Sequence, residues 1–248
     1  MKLSKNKWLK YKFMEESSSL ASHLPRTQQF SYPSLQELIN KYGQVVVKPI
    51  GGSRGRGVYQ VRNLGGEHGY EVHIENKKLD FSSLDDAYSY LKNHISSSHN
   101  YMVQRLISRA TVHGRPFDMR IIVQRRHHHT TWKVTGKVAK IAGKGYIVSN
   151  IGRSHGKLML VRSALKESSL RHKSKTKLTN RIERVVLRTA KRMELLFPGH
   201  RIYGLDIGFD QDGYVWIIEA NLFPSSSHFK MLKDKKMYRR ISSYKHDH

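Results

Sequence analysis

The stretch IIEANLFP at residues 217–224, read together with GLDIGF at 204–209, decides the fold. Glu219 and Asn221 stand two apart, so on an extended strand their side chains share one face. Asp206 lies on the preceding run, and Asp210, Gln211, Asp212 and Gly213 between the two runs predict a hairpin turn. Asp206, Glu219 and Asn221 would then sit at two adjacent strand ends. Two carboxylates and an amide suit a hard cation such as magnesium, which prefers oxygen ligands and keeps positions for water and phosphate. An ordinary polar strand end would carry the same letters, so the surrounding chain has to choose.

Upstream, QVVVKPI at 44–50 reads as a buried strand with Lys48 near its end, and GGSRGRG at 51–57 turns back into a second strand, GVYQV. Such a turn can cover phosphates with backbone N–H groups while Lys48 supplies charge. A plain glycine-rich hairpin explains it as well, and no Gly-Lys-Ser/Thr opens a helix here. Arg120 lies in FDMRIIVQ with Asp118 two residues earlier on the same face. It reads either as a structural Asp118–Arg120 pair or as a cation aimed at a moving phosphoryl group. Asn150, Arg153 and His155 follow YIVSN, as a site rim or as a solvated loop. The run His127–His129 is rejected as a metal cluster, because consecutive side chains diverge and no second cluster complements them. No Gly-x-Ser-x-Gly elbow supports a hydrolase.

Bulk composition narrows the class further. The 248 residues carry 45 Lys and Arg against 19 Asp and Glu, a formal net charge of +26. Such a surface attracts polyanions without specifying which. Zero cysteines exclude disulfides, thiolate metal sites and cysteine nucleophiles. No apolar run approaches the roughly 18 residues needed to span a bilayer. The start, MKLSKNKWLKYKFMEESSS, lacks the pattern of a secretory signal, so the expected location is cytoplasmic.

Along the chain, Ser34 with Glu37 predicts a capping box for a helix ended by Gly43, and Ser82 predicts the cap of a helix through Leu91. EVHIENKKLDF reads as a hairpin turning near Asn76 and Lys77. YMVQRLI, FDMRIIVQ, WKVTGKVAKIA and YIVSN read as strands of one antiparallel sheet. Apolar residues from Thr179 to Phe197 recur at helical spacing until Pro198 and Gly199. Residues beyond Lys230 are a docked helix or a loose tail.

In this order the pieces resemble the ATP-grasp fold, and within it the YheC/YheD endospore coat-associated family. The resemblance rests on LPRT at 24–27, YGQVVVKPIGGSRGRGV at 42–58, MVQRLI at 102–107, GRPFDMRIIVQ at 114–124, WKVTGKVAKIA at 132–142, IVSNIG at 147–152, and GLDIGF with IIEANLFP. It implies an α/β (α+β) fold in which two sheet-bearing subdomains sandwich a nucleotide. Residues 1–24 would form an N-terminal lead-in, 25–107 the lid subdomain, 108–229 the subdomain with the metal site, and 230–248 a basic tail.

The resemblance further implies ATP held at a hinge of Gln104, Arg105, Leu106 and Ile107, with Lys48 on its phosphates. A mobile lid of Gly52, Ser53, Arg54, Gly55 and Gly57 would close over it. Lys137 and Asn150 would add contacts. Asp206, Glu219 and Asn221 would hold Mg2+, with Arg120 and Arg153 offsetting charge on the transferred phosphoryl group. The implied reaction is ATP-dependent carboxylate–amine ligation on an acidic small molecule or peptide; a noncatalytic spore coat or polyanion-binding protein is the alternative. Only about two dozen residues precede LPRT, so a partner protein is expected to complete the acceptor site. No acidic residue follows Ile107 to grip the ribose, since Ser108 and Arg109 come next.

Overall fold

A computed structural model describes residues 3–52, 56–95, 100–146 and 151–246, the side chains of Leu3, Gly152 and Arg153 excepted. In chain order come α1 (Lys7–Glu15), α2 (Ser18–Ala21), β1 (Thr27–Gln29), α3 (Tyr32–Tyr42), β2 (Gln44–Pro49), β3 (Tyr59–Asn63), β4 (Tyr70–Ile74), β5 (Lys77–Phe81), α4 (Leu84–His94) and β6 (Tyr101–Arg105). These are followed by β7 (Thr111–Val112), β8 (Arg115–Gln124), β9 (Lys133–Ile141), α5 (Ile151–Ser154), β10 (Lys157–Leu160), α6 (Val161–Glu167) and α7 (Lys175–Leu196). The chain closes with β11 (Ile202–Phe209), β12 (Val215–Asn221), α8 (Ser227–Met231) and α9 (Lys236–Lys245).

The strands form two sheets, ordered β1-β6-β2-β3-β4-β5 and β10-β9-β8-β11-β12, with β7 paired to β8. Every strand pair described is antiparallel. Alternation gives each sheet one apolar face. In the first, Val45, Val47, Val61 and Val72 pack under Leu35, Leu38 and Ile39 of α3 and Leu84 and Leu91 of α4. In the second, Met119, Ile121, Ala139 and Ile207 pack against Ile182, Val185 and Val186 of α7. The opposite faces are polar where they meet across a cleft.

Several local expectations change. YMVQR does not join FDMRIIVQ; as β6 it pairs with β2 in the first sheet, so the strands named together divide between two sheets. YIVSN at 146–150 lies almost wholly outside the described residues. The cap of α3 is Ser31, not Ser34: Ser31 Oγ accepts from Ser34 N, and Ser34 Oγ accepts from Ser31 N at 2.9 Å. Pro33 explains the shift, because a proline in the first turn gives up only an N–H without a helical partner. Ser83, not Ser82, caps α4 by accepting from Asp86 N at 3.1 Å. Helix α7 begins at Lys175, a turn earlier than its apolar pattern, because Ser174 caps it.

The first and last described helices are packed. Tyr11, Met14 and Leu20 of α1 and α2 join the core of the second sheet. Residues beyond Lys230 are not a loose tail: Phe229 and Ile241 of α8 and α9 are fully buried on Ile122 and Val138. No helix among the described residues is long and apolar enough to cross a membrane.

Candidate functional site

Asp206 and Glu219 are direct cross-strand partners of β11 and β12, and Gly204 faces Asn221. The register shifts by one residue between Asp206 and Ile207, where Ile218 is the extra residue. Ile207 pairs with Ile217 toward the core, while beyond the bulge Asp206 pairs with Glu219 toward the cleft. In unbroken register Asp206 would oppose Ile218, and Glu219 and Asn221 would turn to the other face. One bulge therefore assembles the three oxygen ligands expected from sequence.

Asp206 is 7% exposed and already engaged. Arg120, its partner across β8 and β11, donates from Nε at 3.0 Å and from Nη2 at 2.9 Å. Lys140 Nζ donates to the same carboxylate at 2.9 Å and lies 2.8 Å from Asp118, which Arg109 meets at 3.1 Å. The expected Asp118–Arg120 pair is thus not the structural one. Both residues share a face, but each finds its counter-ion on a neighbouring strand, where directly opposed side chains come closest. Burial pushes the Asp206 carboxyl up, yet Arg120 and Lys140 outweigh it and hold the group below the usual carboxylate range. Burial likewise lowers Lys140, and Asp118 with Asp206 reverses the effect.

Facing this network, Lys48 Nζ donates to Gln104 Oε1 at 2.7 Å, and Gln104 Nε2 donates to Thr27 Oγ1 at 2.6 Å. Burial, aided by the nearby Lys7 ammonium, pushes Lys48 down to about 8. Lys7 lies 3.8 Å from Glu219, and Lys10 donates to Ala220 O at 2.6 Å. Burial also lowers Lys10 to about 8. Lys7, Lys10, Lys48, Gln104, Ile218 and Glu219 share a small cavity of about 30 Å³ between the sheets. A larger cleft of about 730 Å³ opens beside Leu106 and Ile107 and is also lined by Gln44, His73, Arg109 and Tyr146. That volume is in the range of cofactor sites.

The other expected residues divide. The guanidinium of Arg105 lies over Tyr42 at 4.9 Å and Trp216 at 5.2 Å, bridging a ring beside the first sheet and one in the second. Gly52 and Gly57 have φ of +99° and +66°, a region that favours glycine. Ser53, Arg54, Gly55 and Asn150 lie outside the described residues. Arg153 is placed on α5, and its side chain is outside the description.

Lys137 is a correction. It shares the face of Ala139 and Ile141 and lies 3.5 Å from Glu183 of α7, on the side of the sheet away from Asp206. The strand period of two places Lys140 beside Asp206 instead. A lysine inside VAKIA, opposite Asp118 in register, was a signal available in the sequence only once the pairing of β8 and β9 was known. Arg109, Lys7 and Lys10 were also missed. So was His228: burial first, then Lys140 and Arg120, lower it to about 4, and its Nδ1 is buried without a partner. No group of three His, Cys, Asp or Glu side chains among the described residues could hold a metal. Asp206, Glu219 and Asn221 are not such a group, since the third donor is an amide.

A model of the family described as YheC/D like ATP-grasp matches residues 2–247. The chain is similar to the endospore coat-associated proteins YheD and YheC of Bacillus subtilis (strain 168), with 28% and 22% identity over 90% and 88% of its length. It spans 49% and 60% of those relatives' own lengths. Among solved structures it resembles an L-amino acid ligase from Bacillus licheniformis, with a TM-score of 0.56 and 13% identity over 97% of this chain and 47% of that one. The ATP-grasp ligase PsnB complexed with minimal precursor gives 0.52, at 13% identity over 96% of this chain and 60% of that one. N5-carboxyaminoimidazole ribonucleotide synthetase from Thermotoga maritima gives 0.51, at 10% identity over 97% and 48%. At these identities the structural likeness concerns the fold.

Proposed function

Because the chain belongs to the YheC/D-like ATP-grasp family, we propose that it is an ATP- and magnesium-dependent carboxylate–amine ligase. The observation that carries this reading is the Asp206–Glu219–Asn221 face set by the β-bulge, with Glu219 and Lys48 lining one small cavity and Leu106 and Ile107 bordering a separate, larger cleft. Two carboxylates and an amide fit magnesium by donor type, and Glu219 keeps an accessible side chain at 28% exposure. Bound there with nucleotide, magnesium would neutralise the triphosphate and favour in-line transfer.

The residues of the chain divide the remaining work. Leu106 and Ile107 border the space for the base, and Lys48, released from Gln104, meets the phosphates. Arg120 and Lys140 stand beside Asp206 with positive charge where negative charge develops on the moving phosphoryl group. A carboxylate oxygen of the acceptor bonds to the γ-phosphorus as the β–γ bridge breaks and ADP leaves. An amine then attacks the acyl carbon, phosphate leaves, and the amine's proton passes to solvent. This chemistry needs positioning and electrostatics rather than a protein nucleophile, so a chain without cysteine can perform it.

The formal charge of +26 favours an acidic acceptor, small molecule or peptide, and a partner protein is part of this reading of the acceptor site. The printed names of the two Bacillus relatives favour a second reading, a noncatalytic coat or polyanion-binding protein. Calorimetric titration with a nonhydrolysable ATP analogue, with and without magnesium, separates the two. Saturable magnesium-dependent binding that Glu219→Gln abolishes supports the ligase site; wild-type protein that binds no nucleotide at moderate salt refutes it.

A further inference from the structure

Helix α7 lies on the side of the second sheet away from Asp206, and its outer face carries Lys177, Arg181, Arg184, Arg188 and Lys191, all exposed. Their spacing of four, three, four and three places them in a single stripe on a helix of 3.6 residues per turn. At 1.5 Å per residue the stripe runs about 21 Å. The acids of α7 do not interrupt it: Glu183 is turned to Lys137 at 3.5 Å and Glu194 to Arg125 at 3.1 Å. Among the described residues none of the five cations makes an ion pair. Arg181 donates only to the carbonyl of Gly213, at 3.5 Å. Neighbouring like charges repel along a helix, so the stripe is a cost to the isolated fold that a polyanion would remove.

We propose that the outer face of α7 docks double-stranded nucleic acid along its phosphate backbone, without reading sequence. Three of the five cations are arginine, whose planar fork matches phosphate. Laid parallel to the duplex axis, the stripe spans about six base pairs at about 3.4 Å of rise per pair. It carries no aromatic side chain on which unpaired bases would stack, which favours a duplex over a single strand. Because the nucleotide cleft opens on the opposite side of the sheet, docking leaves it free. The inference is independent of the ligase reading.

The test is fluorescence anisotropy of a labelled random-sequence DNA duplex titrated with full-length protein across 50–200 mM KCl. Five phosphate contacts predict a slope of log affinity against log salt of about −4.5, an approximately 500-fold loss over that range. Arg181→Ala, Arg184→Ala and Arg188→Ala together should flatten the slope to about −1.8. The matched control Lys236→Ala, Arg239→Ala and Arg240→Ala removes three exposed cations from α9 and should leave the slope nearly unchanged. Circular dichroism melting verifies that both variants fold. Equal losses in the two variants would overturn the proposal, since the attraction would then be diffuse charge. Absence of duplex binding, or tighter binding of poly-L-glutamate than of duplex, would overturn it too.

Discussion

Asp206→Asn is expected to destabilise this protein, although removing an acid from a metal site often relieves repulsion. The physical reason is the company Asp206 keeps. Its carboxylate is 7% exposed and takes two bonds from Arg120 and one from Lys140. Asparagine leaves Arg120 with no carboxylate in hydrogen-bonding contact among the described residues and Lys140 with Asp118 alone. Breaking a buried ion pair from one side costs about 3–5 kcal/mol. In a chain of this size about 1 kcal/mol shifts the melting temperature by roughly 2–4 °C, so the variant should melt roughly 6–20 °C lower. Glu219→Gln, whose side chain is 28% exposed and only 3.8 Å from Lys7, should stay within about 0.5 kcal/mol of wild type. The pH dependence has a definite sign. The folded Asp206 pKa is depressed, so its stabilisation is complete above the unfolded value of about 4 and disappears as pH falls through the folded one. Urea unfolding at pH 7 should therefore separate variant from wild type more widely than at pH 3. Equal stability of Asp206→Asn and wild type at pH 7 would refute the reasoning.

Three further outcomes follow from particular contacts. Lys48→Ala should weaken ATP-analogue binding, and because Lys48 is lowered to about 8, binding above that pH should take up a proton, seen as a buffer-dependent calorimetric enthalpy; no proton uptake would dissociate Lys48 from the phosphates. Ile241→Ala, which empties a fully buried position against Phe229 and Val138, should cost about 2–5 kcal/mol in chemical denaturation. A methyl added at Gly136 meets Ile241 Cδ1 at 2.7 Å and Phe229 Cε1 at 2.8 Å. Gly136→Ala should thus cost about 1–3 kcal/mol, and Ile241→Val in the same chain should recover part of the loss.

Much of the fold was legible because its signals are local. The period of two in QVVVKPI and FDMRIIVQ, the helical spacing of Ile182, Val185 and Val186, and the hairpin letters from Asp210 to Gly213 each depend on neighbours within a few residues. The relative placement of Glu219 and Asn221 followed from the same period. Cap positions were off by one to three residues, because several serines in each lead-in can cap and the packing of the helix selects one. The error at Lys137 is of another kind: strand period fixes which residues share a face, but not which face meets the cleft.

By itself, then, the sequence determined most of the longer elements, the shared face of Glu219 and Asn221, the strand lysine Lys48 and the excess of positive charge, since these reside in residue identity and short-range spacing. Tertiary structure decided that β6 joins the first sheet, that Ile218 bulges to turn Glu219 toward Asp206, and that Lys140 rather than Lys137 stands with Arg120. Those outcomes depend on register between strands far apart in the chain, where a slip of one residue reverses every side chain. Only the folded sheet sets that register.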